Sequence, residues 1–268
     1  MASLRNSTLA RSLALVVIAG LVIALVSYHL SSYDNLELSY GGYYFVVLAG
    51  LTVLIGLSGQ VSLGHGALMA VGAYTTTLLV ANEGWAELPA ILAAVVATAV
   101  IGLPVGVAAS RLRGPYLAGA TLAFAVGLPA LAEQFPALFG GANGLVINPP
   151  ALPGFLGPNF SPEQWQAWIA CFGGLVVLFL LFNLKRSGIG RSMRAVRDDE
   201  IAAALCGMPV ARTKTVAFVV SAACAGLGGG IFALVVQLAA PGAFEFQLSL
   251  DLLAGVVVGG LGSLAGAV

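Results

Sequence analysis

Long apolar runs separated by short polar stretches organise this chain of 268 residues. The runs lie near residues 12–30, 43–57, 64–80, 88–109, 115–132, 166–184, 214–237 and 250–268. About 20 helical residues cross the hydrocarbon layer of a bilayer, and most runs approach that length. The residue-by-residue alternation of a transmembrane barrel is absent. The pattern predicts an all-α polytopic bundle of seven or eight membrane segments, forming one domain over residues 1–268. The first run follows Arg5 and Arg11, as in a secretory signal. No small-residue cleavage site follows "LVSYHLSSYD" and further spans come after it, so it reads as a retained helix.

Composition agrees. Hydrophobic residues make up 59% of the chain and charged residues 8%, against about 25% charged in a soluble domain. Formal net charge is zero, so bulk charge implies no nucleic-acid or acidic partner. The placement of charge says more. Arg5 and Arg11 precede the first run, Arg111 and Arg113 follow the fourth, and seven basic residues fill 185–214. The connections 31–42, 81–88, 133–165 and 238–249 carry acids and no base. Short basic connections stay cytoplasmic. The N-terminus is then cytoplasmic, provided that 43–57 runs inward and 64–80 returns outward.

Residues 185–212 form the largest cytoplasmic connection. Read as one helix, "IGRSMRAVRDDEIAAALCG" gathers Ile189, Met193, Val196, Ala203 and Ala204 on one face. Arg191, Arg194, Arg197, Asp198 and Asp199 lie opposite, with Arg194 and Asp198 spaced to pair. Glu200 falls amid the apolar face. It either snorkels to a local backbone group or meets donors supplied by a partner. Gly207 and Pro209 end the helix.

A second stretch, "VLIGLSGQVSLGHGALMAVGAY", interrupts the pattern. The preceding run 43–57 is about 22 Å long as helix, short for a core of about 30 Å. It ends in the uncharged Ser58, Gly59, Gln60, Ser62, Gly64 and His65. A glycine-interrupted span reads as lining for a translocation path or as a tight polar turn at the membrane surface. His65 reads as a satisfied structural histidine or as a proton relay.

Other chemistry finds little support. The cysteines, Cys171, Cys206 and Cys224, suit neither a disulfide framework nor a metal site. Gly102 and Gly106 read as a helix-packing face. "GLGGG" and "GLGSLAG" follow no strand, and neither a phosphate-binding P-loop nor a nucleophile elbow occurs. No cofactor is implied. "LAGLTVLIGLSGQVSLGHGA" from Leu48 and "LAGVVVGGLGSLAGA" from Leu253 share LAG, GL, SL and GA in order, which reads as a parallel repeat or as chance in a Leu-, Ala- and Gly-rich chain.

Four stretches together, "GLSGQVSLGHGALMAVGAY", "TLAFAVGLPALAEQF" with "GGANGL", "GRSMRAVRDDEIAAALCGMPVARTKTVAFVVSA" and "GGLGSLAGA", resemble permease subunits of branched-chain amino-acid ABC importers, closest to the M-type subunit. The resemblance covers most of residues 40–268. It implies a bacterial inner-membrane permease that pairs with a related permease, two cytoplasmic ATPase subunits and an external binding protein. Urea and short-amide permeases are near relatives. A self-powered transporter or channel would need intramembrane ionisable groups, for which Asp251 and His65 are the only candidates. Glu200, Ala202, Ala203 and Gly207 match the E-A-A-x3-G core of the importer coupling loop, with one residue inserted. Met193, Val196, Glu200, Ala203, Ala204 and Gly207 are then the expected ATPase-docking set. The family commonly continues beyond "GGLGS", so the chain reads as short at its C-terminus. The proline-rich outer segment 133–165 is expected to receive the binding protein.

Overall fold

The computed structural model describes residues 2–112, 115–148 and 160–260. Arg113, the prolines from 149 to 158, the end of the second repeat and the side chains of Arg5 and Arg11 lie outside the described residues.

The apolar run alone would start the second span near Tyr43. It starts eleven residues earlier because its polar groups find partners locally. Ser31 Oγ accepts from Asp34 N at 3.2 Å as the N-cap. Asn35 is fully buried; its Nδ2 donates to the Ser27 and Ser31 carbonyls at 3.1 Å, and its Oδ1 accepts from Ser27 Oγ at 2.6 Å. These bonds staple α1 (Ala2–His29) to α2 (Ser32–Ser58). At 27 residues α2 is about 40 Å long. The expectation of a short second span is therefore corrected: the segment 32–42 is helix, not connection.

After α2 come α3 (His65–Ala81), α4 (Glu87–Arg111), α5 (Pro115–Gln134) and the single turn α6 (Pro136–Phe139). Strand β1 (Leu145–Val146) pairs antiparallel with β2 (Leu238–Ala239). This ties the described part of the outer segment to the end of α10. The rest is α7 (Pro162–Arg186), α8 (Gly188–Asp198), α9 (Glu200–Leu205), α10 (Val210–Val236) and α11 (Phe246–Gly259). Six described helices are long and apolar enough to cross a membrane, and Val16–His29 and His65–Ala81 are shorter apolar helices. The chain is a polytopic all-α membrane protein.

Hydrogen bonds between helices fix which ends meet. Gln164 Nε2 donates to Ser27 O at 3.1 Å, Trp165 Nε1 to Glu87 Oε2 at 3.0 Å and Gln166 Nε2 to Leu234 O at 3.1 Å. The starts of α4 and α7 thus sit beside the ends of α1 and α10. At the opposite end, Thr215 Oγ1 contacts Gly106 O at 3.4 Å and Arg197 Nη1 donates to Gly56 O at 2.5 Å. Arg111 and the bases from Lys185 to Lys214 belong to this second end, and Glu87 and Glu163 to the first. The charge segregation expected from the sequence is therefore a property of the folded bundle.

The bundle turns on α2 and α10, where 72% of each apolar window is buried. Gly102 faces Ala222 of α10 and Gly106 faces Phe218, so these two glycines are packing positions. The two repeat-like segments both end a helix on a glycine of positive φ, Gly59 at 69° and Gly260 at 98°.

Candidate functional site: a buried helix break and the loop beneath it

The chain leaves α2 at Gly59, whose φ of 69° is the left-handed region that glycine enters without steric cost. Its amide bonds the Ile55 carbonyl at 3.0 Å. The next residues run non-helically to His65. Gln60 Nε2 donates to Lys214 O at 3.0 Å, and His65 Nε2 lies 2.7 Å from Ser221 Oγ. Lys214 and Ser221 are seven residues apart on α10, about 10 Å along its axis. The break therefore runs along the side of α10 into the buried interior of the bundle.

Non-helical backbone at that depth must be satisfied by protein. Leu63 N donates to Thr121 Oγ1 of α5 at 3.0 Å, Gly64 N to Ser62 Oγ at 3.3 Å and Gly66 N to Ser249 Oγ of α11 at 3.0 Å. Ser62 Oγ also lies 3.1 Å from His65 Nδ1. Gln60 Nε2 additionally donates to Ser58 Oγ at 2.5 Å. Ser58, Gln60, Ser62 and His65 are buried, and Gln60 Oε1 lacks a partner among the described residues. His65 is held by two serine hydroxyls in a fully buried position. Gly59 and Val61 form the exposed edge of the break. A Cβ at Gly64 would lie 2.9 Å from Thr121 O, so a bulky residue there tests packing against α5.

The charged connection departs from the single helix expected. Asp199 is extended, with φ −156° and ψ 110°, and divides it into α8 and α9. The physical reason is capping: Asp199 Oδ1 accepts from Ile201 N at 2.8 Å and Ala202 N at 3.0 Å, which begins a new helix. Gly207 N to Ala204 O and Met208 N to Ala203 O close α9 in a Schellman motif, so Gly207 does end the helix. Asp198 pairs with Arg197 Nη2 at 2.7 Å and not with Arg194, which reaches back to Gly190 O and Lys185 O.

The break at Asp199 changes which side chains face outward. Met193, Val196 and Ala203 are buried against the chain itself. Ile201 and Leu205 stand 69% and 85% exposed, with Ala204 exposed between them. With Glu200 and Val210 they line a cavity of about 370 Å³.

Glu200 bonds the ammonium of Lys214, whose side chain is 6% exposed. Arg197 lies across the end of α2, its Cγ 2.9 Å from where a Gly59 Cβ would sit. Two struts therefore join the loop to the break: Arg197 to the α2 terminus, and Glu200 through Lys214 to Gln60. Nothing local in the sequence signals the second. Lys214 is 14 residues from Glu200, on the next long helix beside Arg212, and nothing in the sequence marks which of the two bases pairs. Thr121, Ser221 and Ser249 were likewise hidden, as single hydroxyls in apolar runs.

Glu200→Gln is expected to lower stability by about 1–3 kcal/mol, less than for a fully enclosed pair because the glutamate is one-third exposed. Adding Lys214→Met should restore most of the loss. Thermal unfolding of the two single variants and the double variant checks it; strictly additive losses would mean that the pair is not coupled.

The profile of the branched-chain amino acid transport system / permease component family matches residues 35–268. The chain belongs to this permease family. It is 35% identical to the LivM permease protein of Salmonella typhimurium over 93% of this chain and 64% of that protein. It is 37% identical to LivM of Escherichia coli over 82% of this chain and 57% of that protein. LivH of Escherichia coli is 26% identical over 85% of this chain and 78% of its own length. All three are named high-affinity branched-chain amino acid transport permease proteins. The chain thus spans somewhat under two thirds of the LivM proteins that it matches. No solved structure matches it.

Proposed function

We propose that the chain is a pore-forming permease subunit of an ATP-driven importer for branched-chain amino acids in the bacterial inner membrane. The observation that carries this is the family match over residues 35–268 to a bundle with a buried helix break. The partners follow from that reading: a second related permease, two cytoplasmic ATPase subunits and an external binding protein. ATP hydrolysis belongs to the ATPase subunits. The end bearing Arg111, Lys185 and Arg186 faces the cytoplasm, and with it the N-terminus. The loop 185–212 is the coupling element, and it meets the ATPase through Ile201, Ala204 and Leu205. Met193, Val196 and Ala203 hold the loop to the bundle, Glu200 anchors it on Lys214, and Gly207 closes α9. Residues 58–65 border the translocation path. Gly59 and Val61 meet it directly, while Ser58, Gln60, Ser62, Gly64 and His65 hold the break in shape from behind. The outer segment around β1 receives the binding protein.

The test is uptake of labelled leucine, isoleucine and valine by proteoliposomes holding the chain with its second permease, ATPases and binding protein. ATP-dependent uptake that excess unlabelled leucine suppresses and excess urea does not is the expected result. Suppression by urea would assign the chain to the amide carriers. Uptake without ATP would place it among self-powered transporters.

A further inference from the structure

One large opening in the bundle plays no part in the break or the coupling loop. It is a groove of about 880 Å³ between α4 and α7, floored by α10. Its walls are Leu88, Leu92 and Val95 on one side and Phe172, Val176 and Leu180 on the other, with Ala223 and Leu227 on the floor. On α7 it runs from Trp165 to Leu184, about 28 Å of helix and nearly the full hydrocarbon thickness. Its two walls differ in length. Gly173 touches Ile231 and Gln166 reaches Leu234 near the Trp165 end, whereas α4 lines the groove only from Leu88 to Val95.

The basic end is built. The helix α7 finishes at Lys185 and Arg186, directly after Leu184. Arg186 packs its guanidinium 4.1 Å from the Phe182 ring centroid. Arg191 Nη1 donates to Arg186 O at 3.1 Å, and Arg194 Nη2 contacts Lys185 O at 3.4 Å. Three guanidinium groups thus gather at the end of α7. Arg191 and Arg194 use one or two of five N–H donors each in these contacts, so donors remain for another acceptor.

We propose that this groove is a binding site for an anionic phospholipid, with acyl chains along α7 and α10 and the phosphate on Arg186, Arg191 and Arg194. One leaflet contributes about 15 Å of acyl chain. The stretch from Leu184 back to Phe172 offers about 18 Å. Flexible acyl chains suit a groove whose α4 wall ends at Val95 while its α7 wall continues to Leu184, better than a rigid partner helix about 10 Å across does. The guanidinium cluster complements a phosphate and has no counterpart on an apolar partner helix. This inference rests on the groove and the basic cluster, not on the transport reading.

The test is native mass spectrometry of the full chain released from nanodiscs containing equal phosphatidylglycerol and phosphatidylcholine with identical acyl chains. Retained lipid should favour phosphatidylglycerol at least about fivefold, the preference that one basic residue near a phosphate confers. Arg186 and Arg191 are exposed, so R186Q/R191Q should fold normally and lower the ratio to the preference that Arg194 alone confers. Ala223→Trp, which fills the floor, should cut total retention severalfold. Val176→Trp, on the 54% exposed wall, is the second filling variant and should do the same if Ala223→Trp does not fold. An unchanged ratio in R186Q/R191Q would overturn the proposal. So would unchanged retention in a folded filling variant. Loss of the second permease from a folded filling variant, with lipid retention intact, would mean that a partner helix occupies the groove, and would also overturn it.

Discussion

Gly229→Ala should unfold much of the protein. Its Cβ would be driven into the Met69 carbonyl oxygen, with Met69 C at 2.8 Å and Ala73 N at 3.0 Å. These are backbone atoms of α3 and cannot rotate away. One turn back along α10, Gly226 faces Gly72 of α3 so closely that a Cβ on Gly72 would strike the Gly226 carbonyl oxygen. In a membrane the apolar side chains gain nothing by leaving lipid, so helix association depends on this close backbone approach. Overpacking a tight contact costs about 1–3 kcal/mol and occasionally more. With only backbone to displace, Gly229→Ala and Gly72→Ala belong at about 3 kcal/mol or above. Gly41→Ala is the control, because nothing lies within 4 Å of its Cβ position, and alanine there should stabilise α2 by about 0.5–1 kcal/mol. Thermal unfolding in detergent, with the monodisperse fraction from size exclusion, measures all three. Equal melting of Gly229→Ala and Gly41→Ala would show that α3 and α10 separate at little cost.

Those glycines illustrate what the sequence could and could not reveal. That "GLGGG" is no nucleotide-binding loop was legible, because no strand precedes it and its surroundings are apolar. Its partner helix was not legible, since glycine carries no mark of what it touches. Which helix ends lie together was legible from charge: Arg111 and the bases from 185 to 214 share one end of the bundle, with Asp198, Asp199 and Glu200 among them, and Glu87 and Glu163 lie at the other. The start of α2 was hidden because Asn35 and Ser39 look like loop residues until their partners, Ser27 O and Asn35 O, are known. The break at 59–64 was legible as a departure from helix, and its depth was not, because depth is set by Lys214 and Ser221 on a helix 150 residues away. Asp199 was the most misleading residue. On a continuous helix it joins a charged face, and as an N-cap it turns that helix aside. The apolar periodicity was real, but it described two helices with different exposed sides.

That change of face leads to the second large effect, which rests on the proposed coupling role. Ile201→Asp with Leu205→Asp should strip the ATPase subunits from the permease while leaving the permease folded. Both side chains are largely exposed, so aspartate costs the isolated chain little. Large exposed apolar side chains flanking a cavity are the form that interface anchors take, and truncating such an anchor costs about 2 kcal/mol or more. Two together, with charge added, should weaken association at least about a thousandfold, since each 1.4 kcal/mol is tenfold. Met193→Asp makes the contrast. Met193 is fully buried among α8's contacts with the bundle, so that variant should fail to fold, and its loss of ATPase would say nothing about docking. Glu200→Ala should fall between. It frees the Lys214 ammonium and lets α9 shift, so uptake should drop more than ATPase retention does. Co-purification of the ATPase, uptake and melting temperature separate the cases. Full ATPase retention by a folded I201D/L205D double variant would move the docking surface off α9 altogether.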